Sequence, residues 1–342
     1  KVVHNFQVFE EDFVERERIF PNGSKAQEMR IRDFTTRVGN LKSVQVYGSG
    51  EELLSESVNQ YLYETMEGSD YFKEELLRRY NYQGVIQEAF TECREVKDEG
   101  RKIVLSRKEF YPSIVYRTQE IDYEKGLSVE LRDLAFDFFS GAVTEYFMKD
   151  GYSNQYITKT VPAYRYYAEM GMPVSNPGGN NKNMLTQGAA VYSYKIPDSY
   201  DIERFTYETE IQSIANVVLM NANLMSWTDH FTDDDNPAFN NYRPHRNYTF
   251  IGIPGSERND DGSYGNMDSF AELPENVSPS PLSANGWRLD TEYTRYNLQN
   301  TQVMEGFNMN KRYGSSRFSE DGLYIIATAD NTRYGEFRAS GL

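Results

Sequence analysis

The chain has to build its interior from rings. It carries 27 Tyr and 20 Phe in 342 residues, and aromatics make up 14% of a chain that is only 39% hydrophobic. A chain of this length buries one large core or two medium ones. Much of that core volume must therefore come from Tyr and Phe. Tyrosine buries an apolar body while its hydroxyl seeks a partner or water, so the same residue also suits subunit interfaces.

Charge narrows the partners. Asp and Glu outnumber Lys and Arg 52 to 36, for a formal charge of −16, with three His (His4, His230, His245) and one Cys, Cys93. Such a chain repels phosphate backbones and anionic lipid, and no basic stripe offsets the repulsion. Direct nucleic-acid binding is not expected. No apolar run approaches the roughly 18 residues of a membrane-spanning helix. A lone Cys forbids an internal disulfide framework and, placed among Val85, Ile86, Ala89 and Phe90, reads as a buried structural thiol. The chain opens at Lys1 and not at Met, as a fragment or a processed mature protein does. Sequons stand at Asn22, Asn247 and Asn276.

Periodicity predicts an α+β fold, with a helix-rich N-terminal half, a strand- and loop-rich C-terminal half and no doubly wound sheet. Residues 1–125 read as a mixed region with an extended arm (Val2–Phe9) and a helical block; 126–342 read as an α+β region with long irregular loops, and the two could form one continuous domain. Helices are predicted from the Ser49/Glu52 capping pattern through Leu54, Val58, Tyr61 and Leu62; from Ser69 or Asp70 through Phe72, Leu76, Leu77 and Tyr80; over Val85–Cys93; over Ser128–Lys149; and over Ile214–Trp227. Strands are predicted at Val44–Tyr47, Lys102–Leu105, Ser113–Arg117, Phe205–Ile211, Tyr248–Ile253, Leu323–Thr328 and Glu336–Ala339, with a tight turn at Asp321-Gly322.

Two segments have the side chains of a metal site. Glu257, Asn259, Asp261, Ser263 and Asp268 place oxygens at spacings like those of a calcium loop, with Gly262 at the sharp turn. Calcium is the one cofactor this admits. Asp229, His230, Asp233 and His245 combine imidazole and carboxylate, the donor set of a zinc, iron or manganese site. Gly48-Ser49-Gly50 between strand and helix start has the position of a phosphate loop, but Glu51 and Glu52 put negative charge where a phosphate would sit. No Gly-x-Ser-x-Gly elbow occurs, and no catalytic or cofactor-binding residue is assigned. Tyr164, Tyr166 and Tyr167 read as core or interface packing.

Catalytic residue types are sparse, long irregular segments are suited to ordering by a neighbour, and Tyr and Asn abound. The leading expectation is a structural, non-enzymatic subunit of a large symmetric assembly, such as a viral or phage capsid. Its partners are then copies of itself, and it resides in the assembled particle. The alternatives are an extracellular, calcium-stabilised module binding glycan or protein, and a metal-dependent hydrolase using the Asp229–His245 segment.

Overall fold

The computed structural model describes residues 1–7, 11–19, 25–33, 36, 38–62, 72–82, 87–97, 101–110, 114–230, 241–252, 258–264, 270–274, 286–297 and 300–337, with backbone alone at 11–19, 25–33, 72–75, 87–97 and 101–110. The chain divides into two compact units. One holds Lys1–Gln155 and Asp201–Thr209; the other holds Tyr156–Tyr200 and Glu210–Leu342.

The first unit contains β1 (Val2–Phe6), β2 (Glu11–Ile19), β3 (Lys25–Asp33), β4 (Leu41–Tyr47), β5 (Leu53–Tyr61), α1 (Phe72–Tyr80), β6 (Gln87–Lys97), β7 (Arg101–Phe110), β8 (Val115–Asp122), β9 (Leu127–Phe136) and β10 (Val143–Lys149). Six of the strands run in the order β1-β4-β5-β8-β9-β10, and β2-β3-β7-β6 form a second sheet. Every described pairing is antiparallel except β3 with β7. The buried cluster is aromatic: Tyr80, Tyr116 and Phe136 with Leu62 and Leu76, flanked by Tyr82 and Ile114. The Tyr80 ring meets Tyr116 and Phe136 edge-on, each at 6.5 Å, a geometry that adds about 0.5–1.5 kcal/mol per pair to area burial.

The second unit contains β11 (Gln155–Pro162), β12 (Gly188–Ile196), β13 (Val218–Thr228), β14 (Arg243–Phe250), β15 (Trp287–Tyr296), β16 (Val303–Asn308), β17 (Tyr313–Phe318) and β18 (Ile325–Asp330). Each pairs with the next in chain order, β11 through β18. Its core is also ring-rich. Phe250 packs on Tyr264, Phe270 and Trp287 at 5.3, 4.9 and 5.4 Å. Tyr192 and Tyr194 are fully buried, their hydroxyls satisfied by the Leu273 N–H and the Glu272 carboxylate.

The fold corrects the α+β, helix-rich expectation: both units are nearly all antiparallel sheet, and α1 is the one α-helix among the described residues. That helix lies where Phe72, Leu76, Leu77 and Tyr80 predict one. It buries Leu76 and Tyr80 and leaves Leu77 exposed. Asn81, at φ +53°, closes it by donating its N–H to the Leu77 carbonyl. The other predicted helices are strands. Leu54–Tyr61 lies in β5, and Gly48-Ser49-Gly50 is the β4–β5 hairpin turn, with the Gly48 N–H on the Glu52 carbonyl at 2.9 Å. The described part of Val85–Cys93 lies in β6.

Ser128–Lys149 is the hairpin β9–β10. Asp137 makes its turn, its carboxylate accepting from the Ser140 N–H and hydroxyl at 2.8 and 2.7 Å. The would-be helical stripe is split, with Leu134 and Phe147 buried but Leu131 and Val143 exposed.

Ile214–Trp227 falls largely in β13, where a bulge imitates a helix. Tyr194 opposes Leu219 while Ser193 opposes Asn221, so Met220 is the extra residue. The buried positions become Leu219, Ala222, Leu224 and Ser226, opening with a spacing of three. The predicted strand Phe205–Ile211 is instead turns flanked by 3-10 segments at Ile202–Arg204 and Ile211–Ser213. Glu336 and Phe337 end a turn, and Ala339 lies outside the described residues.

Candidate functional site

The predicted calcium segment is a tight turn where it is described. The Arg258–Tyr264 bridge closes it. Gly262, at φ +83°, donates its N–H to the Asn259 carbonyl at 2.8 Å, a conformation that favours glycine. Asp261 Oδ1 accepts from the Ser263 N–H and hydroxyl at 3.0 and 2.6 Å, and the Asn259 amide donates to Ser263 Oγ at 2.8 Å. Asp261 Oδ2 pairs with Lys195 Nζ at 3.3 Å. The hydrogen bonds from Ser263, more than the lysine, hold the Asp261 carboxyl below its usual range. The structure thus brings Asn259, Asp261 and Ser263 together through contacts within the turn. Glu257 and Asp268 lie outside the described residues.

The second segment is not gathered in the same way. Asp229 and His230 follow the end of β13, with His230 Nε2 at 3.5 Å from Asp229 Oδ1 and its ring exposed. His245 sits within β14 and faces Glu292 of β15 at 3.6 Å. Burial, and then Arg246 beside it, lower the His245 pKa against the pull of Glu292. Asp233 lies outside the described residues. No group of three or more His, Cys, Asp or Glu side chains converges among the described residues.

A concavity among the described residues lies elsewhere, across the strands β13 to β18. It has a volume of about 580 Å³. It is lined by Met225 and Trp227 of β13, by Arg243 and Pro244 of β14 with Tyr242 just before them, and by Tyr293 and Tyr296 of β15. Val303 of β16, Phe318 of β17 and Ile325 of β18 also line it, with Met184, Gln187, Thr301 and Gln302. Strand register explains the convergence: Trp227 opposes Pro244, Tyr296 opposes Val303, and Phe318 opposes Ile325. Opposed residues in a ladder share a face.

Two of the groove's rings have their polar atoms bonded to backbone carbonyls. Trp227 Nε1–H donates to the Gly188 carbonyl at 3.1 Å, and the Tyr296 hydroxyl donates to the Pro244 carbonyl at 2.6 Å. Tyr242 packs on Tyr167 at 5.6 Å. Its hydroxyl pKa is pushed up to about 12, first by burial and then by the nearby charges of Asp229 and Glu169. Burial also lowers the pKa of Arg243 and raises that of Tyr296. Tyr164 and Tyr166 are core residues, and Tyr167 accepts a hydrogen bond from the Trp227 N–H at 2.9 Å.

A second surface feature ends the strand order. Leu323, Tyr324, Ile325 and Ile326 are consecutive and 67%, 68%, 56% and 46% exposed. The Asp321-Gly322 turn presents them: Gly322, at φ +72°, donates its N–H to the Ser319 carbonyl, and Asp321 accepts from the Leu323 N–H. None of the groove residues was singled out by local sequence, because six strands supply them. The run Leu323–Ile326 was legible as part of a strand over Leu323–Thr328, and not as an exposed edge.

No family model matches the chain, and no curated protein matches it. Among solved structures, TcdB2-TccC3 is 10% identical, with a TM-score of 0.41 over 86% of this chain and 16% of that one. TcdB2-TccC3-Cdc42 gives 10% identity and a TM-score of 0.39, over 86% of this chain and 15% of that one. A porin-like protein from Bacteroides uniformis ATCC 8492 is 11% identical, with a TM-score of 0.17 over 95% of this chain and 96% of that one. The chain thus spans only 15% to 16% of the TcdB2-TccC3 chains it matches, and the similarity to all three is weak.

Proposed function

We propose that the chain is a structural, non-catalytic subunit of a larger assembly of its own copies, a virion or phage shell being one form of such an assembly. The observation that carries this reading is the edge at β18. A strand ending a sheet offers a row of free N–H and C=O groups, which soluble proteins guard with Lys, Pro or bulky charge. The sequence of β18, Ile-Ile-Ala-Thr-Ala-Asp, has no Lys and no Pro. Exposed Leu323 and Tyr324 lead into it, and its first two residues, Ile325 and Ile326, are exposed as well. An edge of this kind suits continuation of the sheet by a strand of another copy. The ring-rich composition fits the same reading, since Tyr is enriched at protein interfaces.

Light scattering on the purified chain, with negative-stain microscopy, tests this across a wide concentration range. Large particles are expected for the native chain, and smaller species for Ile326→Lys, which places a charge at the edge. A native chain that stays monomeric at high concentration would overturn the proposal.

A further inference from the structure

Taking the chain as a subunit of an assembly of its own copies, as above, we infer that the strand which continues β18 is β1 of a second copy. The two run antiparallel, with Val2 opposite Asp330, His4 opposite Thr328 and Phe6 opposite Ile326. Two kinds of sheet edge occur in this chain. The four-stranded sheet ends in β2 and β6, where six of nine and five of eleven residues are charged, a guard against edge-to-edge pairing. β1, Val-Val-His-Asn-Phe, and β18 lack that guard: between them they hold one carboxylate, Asp330, and neither Lys nor Pro. Among the described residues β1 pairs only with β4, and β18 only with β17. The chain beyond β18 turns back over β17 and β16. The Ser315 hydroxyl donates to the Thr332 carbonyl at 2.6 Å, and the Tyr334 N–H donates to Glu305 at 2.5 Å. These contacts lie on the β17 side and leave the outer side of β18 open.

The two edges match in parity. Lys1 and Tyr47 exchange backbone bonds: the Tyr47 N–H donates to the Lys1 carbonyl at 2.8 Å, and the Lys1 nitrogen to the Tyr47 carbonyl at 3.0 Å. Such pairs alternate along an antiparallel ladder, so Val3 faces β4 while Val2 and His4 turn their backbone groups outward. On β18 the Asn331 N–H donates to the Tyr313 carbonyl, so Ala329 faces Ser315 of β17 while Asp330 and Thr328 turn outward. On both strands the outward-turned residues are also exposed: Val2 and His4, Thr328 and Asp330. Pairing them therefore joins exposed face to exposed face, and sets half-buried Val3 opposite half-buried Ala329. His4 and Phe6 stack at 6.5 Å, which places Phe6 on the same face. Phe6 then meets Ile326, at 56% and 46% exposure two apolar side chains that gain from cover. Each edge also has its ladder irregularity at this position, so both depart from the regular pleat at the same point. Pairing β18 with itself in full overlap and the same parity sets Ile326 against Asp330, and joins no two apolar residues.

Cross-linking of two single-cysteine chains tests the pairing. In the inferred register Asn5 faces Ala327 in a pair without hydrogen bonds, its Cα atoms about 4.5 Å apart, within the span of a disulfide. Asn5→Cys and Ala327→Cys, each combined with Cys93→Ser, are mixed in dilute solution, concentrated together and oxidised. The mixed disulfide dimer is expected as the main product, and neither chain alone should cross-link to itself. Phe6→Asp is expected to lose the large particles seen by light scattering, as Ile326→Lys does. The double variant, with opposite charges facing, should regain them. Should Phe6→Asp fail to give the circular dichroism of β-sheet, the cross-link decides alone. Absence of the mixed dimer, native-sized particles from Phe6→Asp, or self-linked dimers from the Ala327→Cys chain would overturn β1 as the partner and leave the subunit reading standing. A native chain that stays monomeric at high concentration removes both.

Discussion

Asp133 offers the sharpest test of how this fold handles its carboxylates. It lies in β9 opposite Tyr146 of β10, half-buried, and has no hydrogen-bond or ion-pair partner among the described residues. Burial alone pushes its carboxyl pKa from 3.8 up to about 6. Folding therefore favours the protonated form. Between those two values the folded chain binds more protons at this site than the unfolded chain, so stability falls as pH rises. The contribution is intact below pH 3.8 and is lost as pH passes about 6. At about 1.4 kcal/mol per pH unit, the cost of keeping Asp133 ionised at pH 8 is about 3 kcal/mol.

Asp133→Asn keeps the shape and removes the charge. It should stabilise β9–β10 by up to that amount at pH 8 and have little effect at pH 4. Hydrogen exchange of the β9–β10 amides, followed with urea at both pH values, isolates the local response from unfolding of the other unit. Other carboxylates also titrate in this range, but they cancel in the difference between variant and native chain. A gain equal at both pH values, or no gain at pH 8, would refute the argument from burial.

Arg132, 6% exposed, pairs with Glu130 at 2.9 Å and with Glu203 at 2.6 Å; Arg132→Ala should cost about 2–4 kcal/mol and speed hydrogen exchange in residues 202–209, as measured by mass spectrometry. His245 is held neutral by burial and by Arg246, so its contribution is present above the unfolded value of 6.5 and is lost as pH falls through its lowered folded value. Urea titrations at pH 7.5 and pH 5 should show a smaller acid loss for His245→Gln than for the native chain. In Ile326→Lys, light scattering should show smaller particles while circular dichroism remains that of β-sheet.

The parts of the fold that were legible in the sequence are those where one period has no rival. Val44–Tyr47 alternates cleanly and lies in β4; Phe72, Leu76 and Tyr80 recur at helical spacing and form α1. Asp321-Gly322 makes its turn because few other pairs reach φ above zero at low cost. The failures share a cause. In β13 one bulged residue shifts the alternation and produces a helical spacing without a helix. In β9–β10 two apolar arms and a turn add up to an uninterrupted apolar series, and periodicity alone does not separate a hairpin from a helix. The groove was hidden for a further reason: Arg243, Trp227 and Phe318 come together only through the register of successive strands, which no local window contains. Clustered acids and imidazoles drew attention to 229–268, whereas the groove's described lining holds rings and aliphatic side chains and no acid.

The segment Asp201–Thr209 has a consequence for how the protein is made. It belongs to the first unit, although residues 156–200 of the second precede it in the chain. Glu203 joins Arg79 at 3.1 Å and Arg132 at 2.6 Å, and the Tyr207 N–H donates to the Arg79 carbonyl at 3.0 Å. Emerging from the ribosome, the first unit therefore lacks its last strap until residue 209 is free, by which time β11 and β12 have already been synthesised. The second unit carries no such debt: each of its strands finds its partner in the next one delivered, so it can zip in the order of translation. Stalling synthesis before residue 201 would leave Arg132 buried without one of its two carboxylates, and would expose the first unit to proteolysis for as long as the stall lasts.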